Sequence, residues 1–406
     1  MEAFLTETCR LTGLKRSELL VTFTHTHAAG YLSYDRAELP GGELIGPYLD
    51  SLPSKIANAF REAEANSQPS TLSYGSTTCE MGCQRDYFDD AQGQYVCGFN
   101  PDAAEPLPLN VVRVTADVGQ ASRLLRATIV NYPCHTTTLA WENTLVSPDY
   151  VGALREIVEQ ETSAPCLFLL APCGDIGPRD GYVGDTSVAD RNGRQVGFAA
   201  LSVLEGMAPP ETDHCYAGPV FSGATLGAWH HRRWDDARME ATSNARHSAI
   251  SISLPYLPSL PNLADAEQRH RELISEEQAA RAAGNLDQAA RLRTLGERQL
   301  RLLHRIQPLP PGDSYPMPAW VWQWGDALWV AVEGEPYHYL QAELARRFPD
   351  RMLIVITLAN GTNCSYVPTR EAFSKPGLYQ PEVALLAPGT LEQLTARIGD
   401  ELEKWA

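Results

Sequence analysis

The chain has 406 residues, 44% of them hydrophobic and 20% charged, with 30 glycines and 29 prolines. This is the profile of a globular protein with one large or two medium domains, and it excludes collagen-like, coiled-coil and disordered classes. Acidic residues outnumber basic ones 50 to 33, and the net charge of −17 repels phosphate backbones, which argues against nucleic acid as the main partner.

No apolar run approaches the ~20 residues that a membrane helix needs. The opening MEAFLTETCRLTG has no basic stretch followed by an apolar core, so no signal peptide is expected there. Nine cysteines, an odd and scattered set, fit free thiols in a reducing cytoplasm better than a disulfide framework. Only Cys79 and Cys83 are close enough in sequence to suggest half of a zinc knuckle.

In chain order, the first strand signal is LLVTFT (19–24), which runs into His25-Thr26-His27. An amphipathic helix is predicted over 43–66, with Ile45, Tyr48, Leu49, Leu52, Ile56 and Phe60 on one face. A long polar loop at 84–108 has the character of a functional loop. The strand LLRATIVN (124–131) runs into Tyr132-Pro133-Cys134-His135, and a helix over 149–162 follows with Asp149 as N-cap. CLFLLA (166–171) runs into Pro172-Cys173-Gly174-Asp175, followed by a helix over 187–206. The Ala/Arg/Glu/Leu-rich segment 264–306, with Gly284-Asn285 midway, predicts an inserted helical hairpin. Pro-rich linkers at 255–262 and 308–318 flank it. Trp320, Trp322 and Trp324 alternate with period two, as a buried strand face or the wall of an apolar cleft would. ALWVAVE (327–333) runs into Gly334-Glu335, MLIVITL (352–358) into Ala359-Asn360-Gly361, and a last helix covers 389–405.

These strands are apolar on both faces, as in a buried sheet, and each ends in polar or metal-capable residues. Ligands of open α/β sheets bind beyond the carboxyl ends of the strands. The predicted fold is therefore α/β, a mixed sheet layered with helices, with a metal site at the strand C-terminal ends.

Two histidines at i, i+2 leaving a strand can face the same side, and neutral imidazole is a good zinc ligand. His135 reads either as a third such residue or as a loop histidine bonded to backbone. Glu335 beside Pro336 reads either as a carboxylate at a helix start, favoured by the dipole, or as a metal ligand. Asp175 reads as a plain turn residue or as a carboxylate orienting a histidine. Cys134 and Cys173 lack the base-plus-orienter pattern of nucleophiles. On its own, Tyr366 reads as a packing residue.

THTH at 24–27, NYPCHTTTL at 131–139, PCGDIGP at 172–178, GEP at 334–336 and SYVPTREAF at 365–373 occur in one order. That ordered set resembles the neutral/alkaline non-lysosomal ceramidase family, particularly its shorter bacterial members, from about residue 10 to the C-terminus. The resemblance implies a zinc-dependent amidase that cleaves the N-acyl bond of ceramide. It places the metal on His25, His135, Glu335 (or Glu333) and Tyr366. It places substrate-side roles on His27, on Arg85 of CQRDYF, and on Tyr379. Gln84 stands where the family has Asn, Ala28-Ala29 follow THTH in place of Ser-Gly, and Gln380 follows Tyr379 where Glu is usual.

Residues 1–406 are thus expected to form a single ceramidase-like catalytic domain, N-terminally short relative to a family whose leading segment supplies further strands near the metal, with 264–306 as the inserted hairpin. The expected partner is a small-molecule or lipid amide, with zinc as cofactor. Two other readings stay open: a zinc hydrolase of a non-lipid amide or ester, and a catalytically inactive ceramidase-like binding protein.

Overall fold

The computed structural model describes residues 1–103, 105–117 and 123–405. It is a mixed α/β structure with two four-stranded sheets at its centre. In the first, Ser70–Cys79, Leu107–Asp117 and Arg123–Tyr132 form an antiparallel meander. The chain then crosses through the helix Tyr150–Thr162 and returns as Cys166–Leu170, parallel to its neighbour. The second sheet repeats this plan. Ala245–Pro255, Ser314–Trp324 and Ala327–Val332 form the meander, and Met352–Ile356 returns in parallel after the helix Tyr339–Arg347. Each half closes with a further helix, Thr186–Gly206 in the first and Thr390–Glu403 in the second.

The sheets face each other across a layer containing Val112, Trp329, Ile354 and Ile356. Their outer faces are covered by helices, through Leu154, Val158 and Val196 in the first half and through Leu340, Leu344 and Leu394 in the second. Every residue of Ala327–Val332 is buried, so that strand is apolar on both faces. Trp320 and Trp322 belong to the layer between the sheets. Trp324 rests on Trp329 at the end of the sheet away from Glu335, with ring centroids 5.0 Å apart.

Buried amides lock the two sheets together. The Asn131 side chain donates to Leu169 O at 3.0 Å and to Val355 O at 2.9 Å. Asn110 donates to Leu353 O at 3.1 Å, and the Thr357 amide to Leu170 O at 2.9 Å. These bonds align the two parallel strands, so their carboxyl ends open at the same place.

Three expectations are corrected. Residues 19–24 form no strand. They run extended over the sheet ends, bracketed by one residue: the Asn360 amide donates to Val21 O at 2.7 Å and Val21 N–H to Asn360 Oδ1 at 2.9 Å. The span 308–318 is a linker only in its first half, because Ser314–Trp324 is a strand despite Pro316 and Pro318. Its ladder with Ala327–Val332 begins at Ala319, so the prolines sit where no donor is needed on that side. The helix Ile45–Ala65 forms, but Tyr48 is exposed and Pro53 and Ala57 are its buried positions, since little beyond the helix Glu2–Thr12 covers it.

The helices Leu263–Ala282 and Leu286–Ile306 pack on each other through Leu273, Ala280, Ala289 and Leu292. Gly284 turns the chain between them at a left-handed φ of 76°, and Asn285 caps the second helix through Gln288 N. Among the described residues, no helix is long and apolar enough to cross a membrane.

Replacing Asn131 with Ala strands two buried carbonyls between the sheets. The variant is expected to lose about 1–3 kcal/mol of unfolding free energy, read from its urea midpoint at unchanged m-value.

Candidate metal centre

The site forms where the strand exits of the two halves meet. His135 follows the third strand of the first half and is fully buried. Its Nδ1 lies 2.7 Å from Cys173 O and 3.2 Å from Ile176 O. Carbonyls only accept, so Nδ1 carries the proton and Nε2 presents a lone pair. This corrects the reading of Asp175 as the group that orients a histidine. The Asp175 carboxylate instead accepts His338 N–H at 2.7 Å, and the backbone of the same turn orients His135.

The THTH segment is held against this exit by Thr136. Its hydroxyl donates to Thr24 O at 3.1 Å and also to His25 O, while its carbonyl accepts His27 N–H at 3.2 Å. His25 adopts a left-handed φ of 63°, which turns its ring toward His135. The two ring centroids are 4.9 Å apart, and those of His27 and His135 are 5.9 Å apart. The coordinating atoms of the three rings lie within 4.8 Å of one another.

Glu335 comes from the second half. The helix-start reading is corrected: Glu335–Pro336 pairs in parallel with Tyr366–Val367, and the helix begins only at Tyr339. That bridge makes Glu335 and Tyr366 register partners. Gly334, at φ 76°, permits it, because a Cβ there would clash with Cys364 Sγ. Glu335 Oε2 lies 3.1 Å from His135 Nε2 and 3.2 Å from His25 Nε2. Tyr366 Oη lies 3.1 Å from His135 Nε2, and His27 Nε2 lies 3.3 Å from His25 Nε2. Glu333 turns elsewhere and hydrogen-bonds Tyr315 and Asn363.

Arg85 is buried and donates through Nη2 to Gly174 O at 2.6 Å and to Tyr366 Oη at 3.3 Å. Gln380, also buried, donates to Gly174 O at 3.2 Å and to Asp86 Oδ1 at 2.8 Å. Tyr379 sits at the rim, 43% exposed, its ring 6.0 Å from that of Tyr366. The structure therefore gathers His25, His27, His135, Glu335, Tyr366 and Arg85 into one cluster with Tyr379 at its edge. Thr136, Gly174 and Gln380 were given no role from the sequence, although Gly174 lies in a motif and Gln380 was noted as a departure from the family pattern. The threonine run after His135 was the one signal for the first of them.

Burial pulls His135 down to about 3, with the Arg85 charge acting in the same sense, so its ring is neutral at physiological pH. Partial burial and the neighbouring His25 bring His27 down to about 4, and it too is neutral. Burial works to raise the Glu335 carboxyl, yet His25 and His135 hold it well below the usual carboxylate range. Burial pushes the Cys134 and Cys173 thiols well up, which leaves them protonated and inert.

No protein-family model and no curated protein sequence matches the chain. Among solved structures, the crystal structure of neutral ceramidase from Pseudomonas aeruginosa aligns with a TM-score of 0.57 at 16% identity, covering 98% of this chain and 64% of that one. A ceramidase complexed with C2 aligns with a TM-score of 0.58, also at 16% identity, covering 99% and 65%. The chain thus has the neutral ceramidase fold and spans just under two thirds of the length of these two proteins.

Gly174 joins the two halves: its N–H donates to Pro336 O at 2.9 Å, and an added Cβ would sit 2.7 Å from Glu335 O. Gly174→Ala is expected to destabilise the fold by about 1–3 kcal/mol. Thermal and urea melts check this, and a fully stable variant would contradict the close approach.

Proposed function

We propose that this chain is a zinc-dependent hydrolase that cleaves an amide (N-acyl) bond, and that ceramide-like lipid amides are its substrate class. One observation carries the reading. An unprotonated imidazole nitrogen and an ionised carboxylate oxygen lie 3.1 Å apart with no hydrogen to share between them. A second imidazole nitrogen lies 3.2 Å from the same oxygen, and a phenol 3.1 Å from the first nitrogen. The phenol can donate to that nitrogen and the second imidazole to that oxygen, but the first nitrogen and the carboxylate have no proton between them, and a cation beside both suits the pair.

The donor set fits zinc. Two imidazoles, a carboxylate and a phenol oxygen suit it, whereas magnesium prefers all-oxygen shells. His25, His135, Glu335 and Tyr366 would hold the ion, which when bound lowers the pKa of a coordinated water toward ~7 and polarises a carbonyl.

The remaining roles belong to the chain's own side chains. His27 lies beside His25 on the open side of the cluster and is neutral, so it is free to take a proton from an attacking water and return it to the leaving amine. Arg85 keeps its charge at any working pH and lies 3.3 Å from the Tyr366 oxygen, where it favours negative charge. Tyr379, at the rim, is a second candidate donor to the leaving group. The choice of an acyl lipid amide is supported by the fold shared with the two ceramidases.

The test measures zinc and turnover together. Wild type is expected to hold about one zinc per chain by elemental analysis. His25→Ala and His135→Ala should reduce both the metal and the hydrolysis of N-acyl sphingosine to background. His27→Ala should keep the metal and lose about 10²–10⁴-fold in kcat. A metal-free active wild type, or an active His25→Ala, overturns the assignment. Turnover confined to short polar amides would retain the hydrolase and reject the lipid substrate.

A further inference from the structure

The loop 140–147 lies against the site, and its large apolar side chains point into solvent. Trp141 is 79% exposed, Leu145 61% and Val146 85%. The loop is tied down along its length. Ala140 N–H donates to Val183 O at 2.9 Å, Asn143 N–H to Ala140 O at 2.9 Å, and Leu145 N–H to Asn143 Oδ1 at 3.2 Å. Its far end is bonded to the histidine segment itself: Ser147 N–H donates to Ala28 O at 3.0 Å, and Thr26 Oγ1 to Ser147 O at 2.7 Å. Beneath it, Leu139, Ala28 and Ala189 form a small buried cluster. A fixed loop that keeps three large apolar groups in water points to a surface that covers them.

We infer that the loop 140–147 docks the mouth of the site onto an uncharged or zwitterionic lipid surface, with Trp141, Leu145 and Val146 entering the interface. Two observations select this occupant. The segment carries one charged residue, the acidic Glu142, within a chain of net charge −17, so an anionic surface is repelled and a neutral one is not. The apolar groups also continue directly from the segment that holds His25 and His27, at the end of the fold where the strands open. A tryptophan flanked by aliphatic side chains suits the headgroup–acyl boundary. The inference rests on the hydrolase reading in one respect: the site then faces the surface from which an N-acyl lipid would be drawn.

The experiment uses the full chain with phosphatidylcholine vesicles. Wild type is expected to co-sediment with them. Trp141→Ser combined with Val146→Ser should weaken that binding by at least about tenfold. Phe221→Ser removes an equally exposed apolar group, 79% exposed, from the hairpin that begins beside Thr71, at the opposite end of the first sheet. It should bind as wild type does. The double variant should also hydrolyse a soluble short-chain N-acyl amide at the wild-type rate and lose activity only on vesicle-embedded substrate. Wild type that stays in the supernatant overturns the inference, as does a double variant that binds normally. So does a concentration-dependent dimer that the double variant abolishes, because the loop would then be a protein interface. Vesicle binding without hydrolysis of any amide supports the loop's role and overturns the hydrolase reading instead.

Discussion

The contact between His135 Nε2 and the Glu335 carboxylate, at 3.1 Å, is the constraint on which the rest of the structure turns. Two acceptors do not approach each other in a buried site unless something positive lies between or beside them. The donors within reach of the pair are the Tyr366 hydroxyl, 3.1 Å from the nitrogen, and His25 Nε2, 3.2 Å from the carboxylate. The proton of His135 is committed to the carbonyls of Cys173 and Ile176, and burial keeps the ring from taking a second one. The bridge between Glu335–Pro336 and Tyr366–Val367 fixes the backbone from which the carboxylate extends. Three imidazoles, a carboxylate and a phenol converge here, and the proposed metal site rests on that convergence.

The repeated plan of the two halves explains why this contact joins residues so distant in sequence. His135 follows the third strand of the first half, and Glu335 follows the third strand of the second. The exit of the fourth strand supplies the Cys173–Asp175 turn in the first half and Tyr366 in the second. Each turn of one half leans on a turn of the other, most closely where Gly174 N–H meets Pro336 O. The site is built across an internal interface. Asn131, which binds the two parallel strands together, lies four positions before His135 and fixes the spacing of the whole arrangement.

Much of this was legible in the sequence, for a physical reason. Strands buried on both faces are continuous apolar runs, and four of the five such runs followed by polar residues are strands in the central sheets. The fifth, residues 19–24, has the same composition but no ladder partner. Composition records burial and β-propensity, not whether a free sheet edge exists, so the bracketing of Val21 by Asn360 could not be foreseen. Of the two readings of Glu335, the helix start fails: Pro favours the first turn of a helix, but Pro336 here closes a two-residue bridge instead. What orients His135 was invisible because backbone carbonyls do it, and any residue carries one. Gln380 is similar: its role depends on meeting Gly174 O and Asp86 in space.

The chain's net charge of −17 does not describe the site. Arg85 is buried, and among the described residues no carboxylate lies within ion-pairing distance of it. It is held by a carbonyl and a phenol, and its Nε has no hydrogen-bond partner. Among the described residues it makes no direct ion pair, and its charge acts through the interior on the Asp86 and Asp175 carboxyls as well as on Tyr366. Tyr366 shows the balance. Burial and Glu335 both raise its phenol, and Arg85 opposes them. A cation held by His25, His135 and Glu335 would act on the phenol in the same sense as Arg85. A buried arginine with no direct ion pair is a poor stabilising device, since desolvation works against it. It is a sound way to hold positive potential at one oxygen, which is what a site that must accept developing negative charge requires.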